Sequence, residues 1–182
     1  VVMTNSRDFA LVERCRKGDR QAFEVLIREY QRPVYNAAYR ILGNPDDAAD
    51  ATQAAFLKVF ENLDRYDPSY KFFSWIYRIA INESINQRKK SREQQLLDDS
   101  QPAAGGSPDS TAEADDLASG IQDGLMALND DYRTVVVLRH FSDLSYRQIS
   151  EVLEIPEKTV KSRLYSARQL MKDRLVANGI EL

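Results

Sequence analysis

Apolar residues recur at helical spacing through most of the chain. Ala22, Phe23, Leu26, Ile27 and Tyr30 form one stripe after Gly18-Asp19, and Val34, Tyr35, Ala38, Ile41 and Leu42 form another after Pro33. Intervals of three and four residues place side chains on one face of an α-helix, so each stripe predicts a helix. The second should end at Gly43-Asn44-Pro45, a helix-stopping run. Asp46 and Asp47 then stand where a helix N-terminus favours negative charge. They open a third helix, with Ala49, Phe56, Val59, Phe60 and Leu63 on one face and Asp47, Asp50, Lys58 and Glu61 on the other. A loop from Asp64 to Lys71 precedes a fourth helix, from about Phe72 to Lys90. No alternating strand pattern competes, so this half is expected to be an all-α bundle.

The pattern then lapses. From Arg92 to Asp116 the chain is rich in Ser, Pro, Gly, Ala and Asp, and only Leu96-Leu97 interrupts the polar run. Such a segment cannot build a core and predicts a flexible linker. Periodicity resumes near Leu117 and continues through Ile121, Leu125 and Leu128, then from Val135 to Phe141. Leu144 to Leu175 predicts a short helix, a tight turn at Glu154-Ile155-Pro156 and a longer basic helix, which is a helix-turn-helix. The expected fold class is therefore all-α: two small helical domains, 1–91 and 117–182, joined by an acidic linker, 92–116. The C-terminal domain carries the helix-turn-helix.

Charge sharpens this division. The net charge of the 182 residues is only -3, which argues against an indiscriminate nucleic-acid coat, but the charges are segregated. Every charge from Glu93 to Asp116 is negative, whereas Arg88-Lys89-Lys90 and the last helix are basic. Distribution says more about partners than the sum. In the last helix Val160, Leu164, Ala167 and Met171 make the core-facing stripe, and Lys158, Lys161, Ser162, Tyr165, Arg168, Gln169 and Lys172 lie away from it. Those groups suit phosphates and major-groove base edges, although a solvated bundle helix would carry a similar pattern. In the helix from Phe72, a second polar-aromatic stripe joins Trp75, Arg78, Asn82, Asn86 and Lys89. Stacking, amide hydrogen bonding and phosphate neutralisation on one face suit unpaired bases; Trp75 would equally serve as a core residue.

Catalysis finds little support. The lone Cys15 allows no internal disulfide and no cysteine-rich zinc site, and the single His140 has no histidine or nearby cysteine partner. Paired acid-base carboxylates and glycine-rich phosphate loops are not evident, so no enzyme activity, metal or cofactor is expected. No apolar run approaches the roughly 20 residues that span a bilayer, nor does the N-terminus read as a signal peptide. A soluble, cytoplasmic protein is the expectation.

Three segments together resemble the bacterial extracytoplasmic-function sigma factors of the sigma-70 family: DDAADATQAAFLKVFENL (46–63), FFSWIYRIAINESINQRKKSR (72–92) and LSYRQISEVLEIPEKTVKSRL (144–164). Nearly the whole chain is covered by this likeness. It implies a transcription initiation factor that binds core RNA polymerase and directs promoter recognition and strand opening. Asp47, Asp50, Gln53, Phe56 and Leu57 are implied to meet the clamp of the largest polymerase subunit. The minus-ten element is implied to meet the loop residues Tyr66, Tyr70 and Lys71, with Trp75, Arg78, Asn82, Asn86, Arg88 and Lys89 from the following helix. Lys158, Thr159, Lys161, Ser162, Arg163, Tyr165 and Arg168 are implied for the minus-thirty-five duplex. Further implied partners are the flap of the second-largest subunit and an anti-sigma factor. Two positions depart from the common pattern: Ala54, where relatives often have an acidic residue, and Ser166, where they often have Arg. The alternative is a stand-alone helix-turn-helix regulator, which would need a dimer interface and a ligand pocket that the sequence does not suggest.

Overall fold

The computed structural model describes residues 5–97 and 112–177. Helices α1 (Asn5–Arg16), α2 (Arg20–Leu42), α3 (Pro45–Glu61) and α4 (Phe72–Leu97) form the N-terminal half, with a single 3-10 turn at Leu63–Arg65. Helices α5 (Ala112–Ala127), α6 (Asp130–Val136), α7 (Tyr146–Leu153) and α8 (Glu157–Ala177) form the other. Among the described residues there is no strand, in agreement with the all-α expectation.

The two stripes on either side of Pro33 belong to one helix, not two. Leu26, Tyr30, Val34, Ala37 and Ile41 are all buried along a single face, and Pro33 sits on the exposed side. A proline inside a helix costs roughly 3 kcal/mol, which the continuous burial of that face outweighs. The ends follow local chemistry: Asp19 accepts from the Ala22 N–H, Asn44 from the N–H groups of Asp46 and Asp47, and Asn129 from that of Tyr132. Each satisfies donors that the first helical turn leaves unpaired. Both ends of the expected linker are also helical, since α4 continues to Leu97 and α5 begins at Ala112; residues 98–111 lie outside the described residues.

The helix-turn-helix is formed by α7 and α8. Ser145 and Gln148 close a reciprocal capping box at the start of α7. At its end Glu154 adopts a left-handed φ of 54°, and its N–H reaches the Ser150 carbonyl. The Ser150 hydroxyl donates to the Ile155 carbonyl at 2.6 Å, fixing the turn expected at 154–156. Ile149, Val152, Val160, Leu164 and Ala167 are buried between the two helices and their neighbours. Between α6 and α7 the helix widens to π geometry over Val137–Phe141.

The hydrophobic core does not stop at the linker. Leu26, Ile41, Phe72 and Ile76 belong to the same buried cluster as Leu125, Val135, Leu138 and Leu164. At the junction lies Arg133, with 0% exposure. Its Nε donates to the Leu125 carbonyl at 2.7 Å, and Nη2 donates to Met126 at 2.7 Å and Leu128 at 2.6 Å. Nη1 donates across the junction to the Ile41 carbonyl at 3.0 Å. The guanidinium thus binds the C-terminal ends of α5 and α2 at once, where helix dipoles are negative and carbonyls lack helical partners. Gly43 shares the junction: it caps α2 at φ 75°, and a Cβ there would lie 2.9 Å from the Met126 sulfur.

Replacing Arg133 with Met keeps the apolar stem but removes the guanidinium donor of the Met126 and Leu128 carbonyls and leaves Ile41 to Arg88 and Leu125 to the Leu128 N–H alone. A buried charged network broken on one side typically costs about 3–5 kcal/mol, so the midpoint of urea unfolding should fall steeply. A midpoint equal to wild type would show that water satisfies these carbonyls equally well.

Candidate functional surfaces

Helices α2 and α3 leave an open groove of about 750 Å³ between them. Phe23, Ile27, Tyr35, Phe56, Leu57 and Phe60 line it, and Arg28 and Arg32 contribute cationic groups. Leu57 is 56% exposed and Phe60 54% exposed; their rows on α3 lie beside the core-facing row of Ala48, Ala51, Ala55 and Val59. Phe60, expected on the core face with Val59, instead turns into the groove against Phe23, ring centroids 5.1 Å apart. Of the residues implied for polymerase, Gln53, Phe56 and Leu57 line this groove. Asp50 is exposed on the same helix, whereas Asp47 accepts from the Gln87 amide at 3.1 Å on the α4 side. Contributions from α2 escape the sequence reading, because Phe23 and Ile27 share the spacing of true core residues.

The loop after α3 and the start of α4 make an aromatic corner. Tyr66, expected to be available for DNA, is 3% exposed and packs against Phe72 and Trp75. Burial, with Asp8 and Asp67 nearby, pushes its phenol pKa up to about 12, so it remains a neutral donor. Its hydroxyl donates to the Tyr70 carbonyl at 2.7 Å. Trp75 is half-buried against the core. Tyr70 presents an exposed ring, with the Arg78 guanidinium 6.0 Å from its centre. Lys71 is half-buried nearby.

Along α4, Asn82, Asn86 and Lys89 are exposed on one stripe. Arg88 is turned the other way. It is 8% exposed, donates to the Ile41 carbonyl at 3.2 Å and places Nε 2.9 Å from an Asp130 oxygen. That last contact is an ion pair without an aligned hydrogen bond, since neither atom has a hydrogen-bonding partner. Burial lowers the Arg88 pKa and Asp130 opposes the shift; a guanidinium starting so high stays charged at neutral pH. In this arrangement Arg88 therefore belongs to the junction rather than to the α4 surface. Arg78 is engaged as well, donating to the Glu154 carboxylate at 2.8 Å and the Glu151 carbonyl at 3.1 Å, both from the helix-turn-helix.

The outer face of α8 carries Lys158, Lys161, Ser162, Tyr165 and Arg168, all exposed, with Tyr165 at 69%. Thr159 is half-buried. Lys161 lies 5.8 Å from the Tyr146 ring centre, and Arg139 approaches the same ring at 5.5 Å. Arg163 is different: it is half-buried and pairs with Asp131 of α6 at 2.7 Å. His140 lies among cations, its pKa lowered by burial and then by Arg168 and Arg139. Among the described residues no group of His, Cys, Asp or Glu could hold a metal ion, and no helix is long and apolar enough to cross a membrane.

Comparison with known proteins identifies the family of the chain. Residues 26–94 match the sigma-70 region 2 family and residues 120–171 the sigma-70 region 4 family. The ECF RNA polymerase sigma factor SigW of Bacillus subtilis (strain 168) is 35% identical over 176 residues, covering 90% of this chain and 94% of its own. The ECF RNA polymerase sigma-E factor of Escherichia coli (strain K12) is 29% identical over 180 residues, covering 92% and 94%. CnrH, solved in complex with the cytosolic domain of CnrY, superposes with a TM-score of 0.73 at 26% identity, covering 94% of this chain and 98% of that one. The sigma factor RpoE of Bartonella quintana, solved with the anti-sigma factor NepR, shares the fold at a TM-score of 0.72 and 20% identity, over 84% and 96% of the two chains. Region 2 followed by region 4 on an all-helical frame is the architecture of a promoter-specificity subunit. The chain belongs to the extracytoplasmic-function sigma factors of the sigma-70 family. It is a transcription initiation factor that works with RNA polymerase and promoter DNA, not an enzyme.

The contrast along α8 has a measurable consequence. Lys161→Ala or Arg168→Ala should weaken holoenzyme binding to a minus-thirty-five duplex and, for each phosphate no longer neutralised, reduce the salt slope by about 1. Arg163→Ala should show the smaller change in slope, because Asp131 already neutralises that charge. Equal slopes for all three variants would mean that Arg163 leaves Asp131 on binding DNA.

Proposed function

We propose that the α2–α3 groove seats on the clamp of the largest polymerase subunit, and that the Asp64–Lys71 loop with the exposed face of α4 captures and reads the minus-ten element. The outer face of α8 reads the minus-thirty-five duplex, while its half of the chain docks on the flap. The observation that carries this reading is the run of exposed Asn82, Asn86 and Lys89 beginning just beyond the aromatic corner. Bases leaving the stack would meet ring faces first, amide donors and acceptors next, and a cation for the phosphates last. Unstacking costs a few kcal/mol per base, which such contacts offset without nucleotide hydrolysis.

Both halves must separate for this work. Glu154 and Asp130 occupy Arg78 and Arg88, where DNA phosphates would bind, so a promoter replaces one anion by another rather than uncovering bare cations. The Asp64–Lys71 loop, backed by Tyr66 and Trp75, forms the corner that the bases meet, whereas Arg88, held at the junction by Ile41 and Asp130, reaches DNA only once the halves part. A cytoplasmic location fits partners of this kind. An anti-sigma factor that covers these same faces is a further proposed partner.

Reconstitution with core polymerase tests the reading. The chain should confer promoter-specific transcription on core enzyme, whereas the free protein should bind the same promoter weakly, its two DNA-facing surfaces being fixed only by the polymerase. Tight and specific duplex binding by the free chain would favour a stand-alone regulator. Asn82→Ala should reduce permanganate reactivity of the opened minus-ten bases while leaving affinity for core polymerase near wild type. Footprints of equal intensity would remove Asn82 from this role.

Leu57→Asp should do the reverse. The side chain is mostly exposed, so unfolding should shift by no more than about 0.5 kcal/mol, while affinity for core polymerase should fall roughly tenfold or more through loss of a buried apolar anchor. Unchanged assembly would place the clamp elsewhere.

A further inference from the structure

We propose that Arg16, the last residue of α1, is a positioning residue for minus-ten base selection, acting through the backbone of the loop that follows α3. The proposal rests on the reading of that loop as the base-capturing element. Arg16 precedes the residues matched to region 2, 26–94, and the sequence ERCRKGD around it reads only as a charged helix end.

Its guanidinium collects three carbonyls from one short stretch. Nε and Nη2 donate to the Leu63 carbonyl at 3.0 and 2.8 Å, and Nη2 also reaches those of Tyr66 at 2.8 Å and Asp64 at 3.3 Å. The remaining Nη1 donates to the Glu13 carboxylate at 2.7 Å, which holds the plane in place from within α1. These carbonyls belong to the 3-10 turn Leu63–Arg65 and the residue after it. A chain leaving a helix there has acceptors without regular partners, and a charged fork satisfies several of them in a fixed geometry.

What the fork fixes is the direction of the loop. The Tyr66 carbonyl is held by Arg16, its ring is wedged against Phe72 and Trp75, and its hydroxyl donates to the Tyr70 carbonyl. Asp67 accepts from the Ser69 N–H at 2.8 Å, and the Tyr70 N–H reaches the Asp67 carbonyl at 3.1 Å. A path of contacts thus runs from α1 through Tyr66 to the backbone of Tyr70, whose ring is exposed. A site for a single flipped base discriminates only if its walls are held before the base arrives. Arg16 supplies that rigidity without touching DNA.

The test uses holoenzyme reconstituted from core polymerase with wild-type chain, Arg16→Lys, Arg16→Gln or Tyr70→Ala. Opening is followed by 2-aminopurine fluorescence on promoters changed one base at a time across the minus-ten element. Arg16→Gln should flatten the preference at the loop-captured position roughly tenfold, the range of one specific base contact, with preferences at other positions intact. Arg16→Lys keeps the charge but loses the fork, so it should give a partial loss at the same position. A purely structural role would slow all promoters by one factor and leave every ratio unchanged, which would overturn the proposal. Failure of both Arg16 variants to fold, judged by thermal unfolding of the free chains, would also overturn it. If Tyr70→Ala alters no position, the loop assignment itself falls and the proposal with it. A change with Tyr70→Ala but none with either Arg16 variant would refute Arg16 alone.

Discussion

One buried guanidinium organises the molecule. Arg133 lies between the carboxyl ends of α2 and α5, and its four carbonyl partners come from Ile41 on one side and from Leu125, Met126 and Leu128 on the other. A positive charge without water is tolerated there because two helix dipoles converge on it and Asp130 lies 3.7 Å away. The same Ile41 carbonyl accepts from Arg88, and Asp130 pairs with Arg88. Two arginines, one carboxylate and one carbonyl thus form a single network in which Ile41 and Asp130 are each shared by both cations. Gly43 and Met126 pack beside this network, allowing α2 to approach α5 closely.

From that junction the placement of the functional surfaces follows. With α2 tied to α5 and α6, helix α7 comes to rest along α4, bringing Glu151 and Glu154 to Ser74 and Arg78. The groove between α2 and α3 and the outer face of α8 carry exposed apolar and cationic side chains away from this contact. The closed arrangement therefore masks the start of the α4 face while leaving the α2–α3 groove open. Its ionic contacts at Arg78 are half-exposed or exposed and worth little individually. Those at Arg133 are deeply buried, so the closed state is held by the junction and only trimmed at the rim.

Much of this is legible in the sequence. Periodicity finds helical stretches within α2 to α5, α7 and α8, the turn at 154–156 and the two faces of α8, because amphipathic helices announce their buried side every three or four residues. The stretch it marks at Val135–Phe141 catches only the end of α6, Asp130–Val136, and the π segment after it. Pro33 misleads the reading of α2, since a local rule about proline yields to eight buried side chains on one helix. Phe60 and Tyr66 exchange places relative to expectation: the first is exposed in the groove and the second buried in the corner. Phe60 is an aromatic residue at the edge of a stripe, where helical phase alone does not say on which side it falls, and Tyr66 lies in a loop, where no periodicity reports burial. Arg88 misleads for a different reason. It lies in a run of basic residues at a helix end, a pattern that describes solvated charge, and only its distant partners Ile41 and Asp130 reveal the junction.

Two residues that sequence reasoning misses, Arg16 and Arg133, share one property: each has a backbone carbonyl partner far along the chain. Arg16 reaches Leu63 and Tyr66, and Arg133 reaches Ile41. A carbonyl has no signature in sequence, because every residue carries one, so such contacts leave neither a charge pair nor a periodic stripe to detect. The physical demand behind them is nonetheless general. Helix ends and short turns expose acceptors that must be satisfied once buried, and a planar cation with five donors satisfies several at once. In an all-α protein every connection joins two helix ends, and where two ends meet an arginine can fix both position and angle. That is why the loop beside α4 is fastened by the Arg16 guanidinium and the junction of the two halves by that of Arg133 with Arg88 beside it.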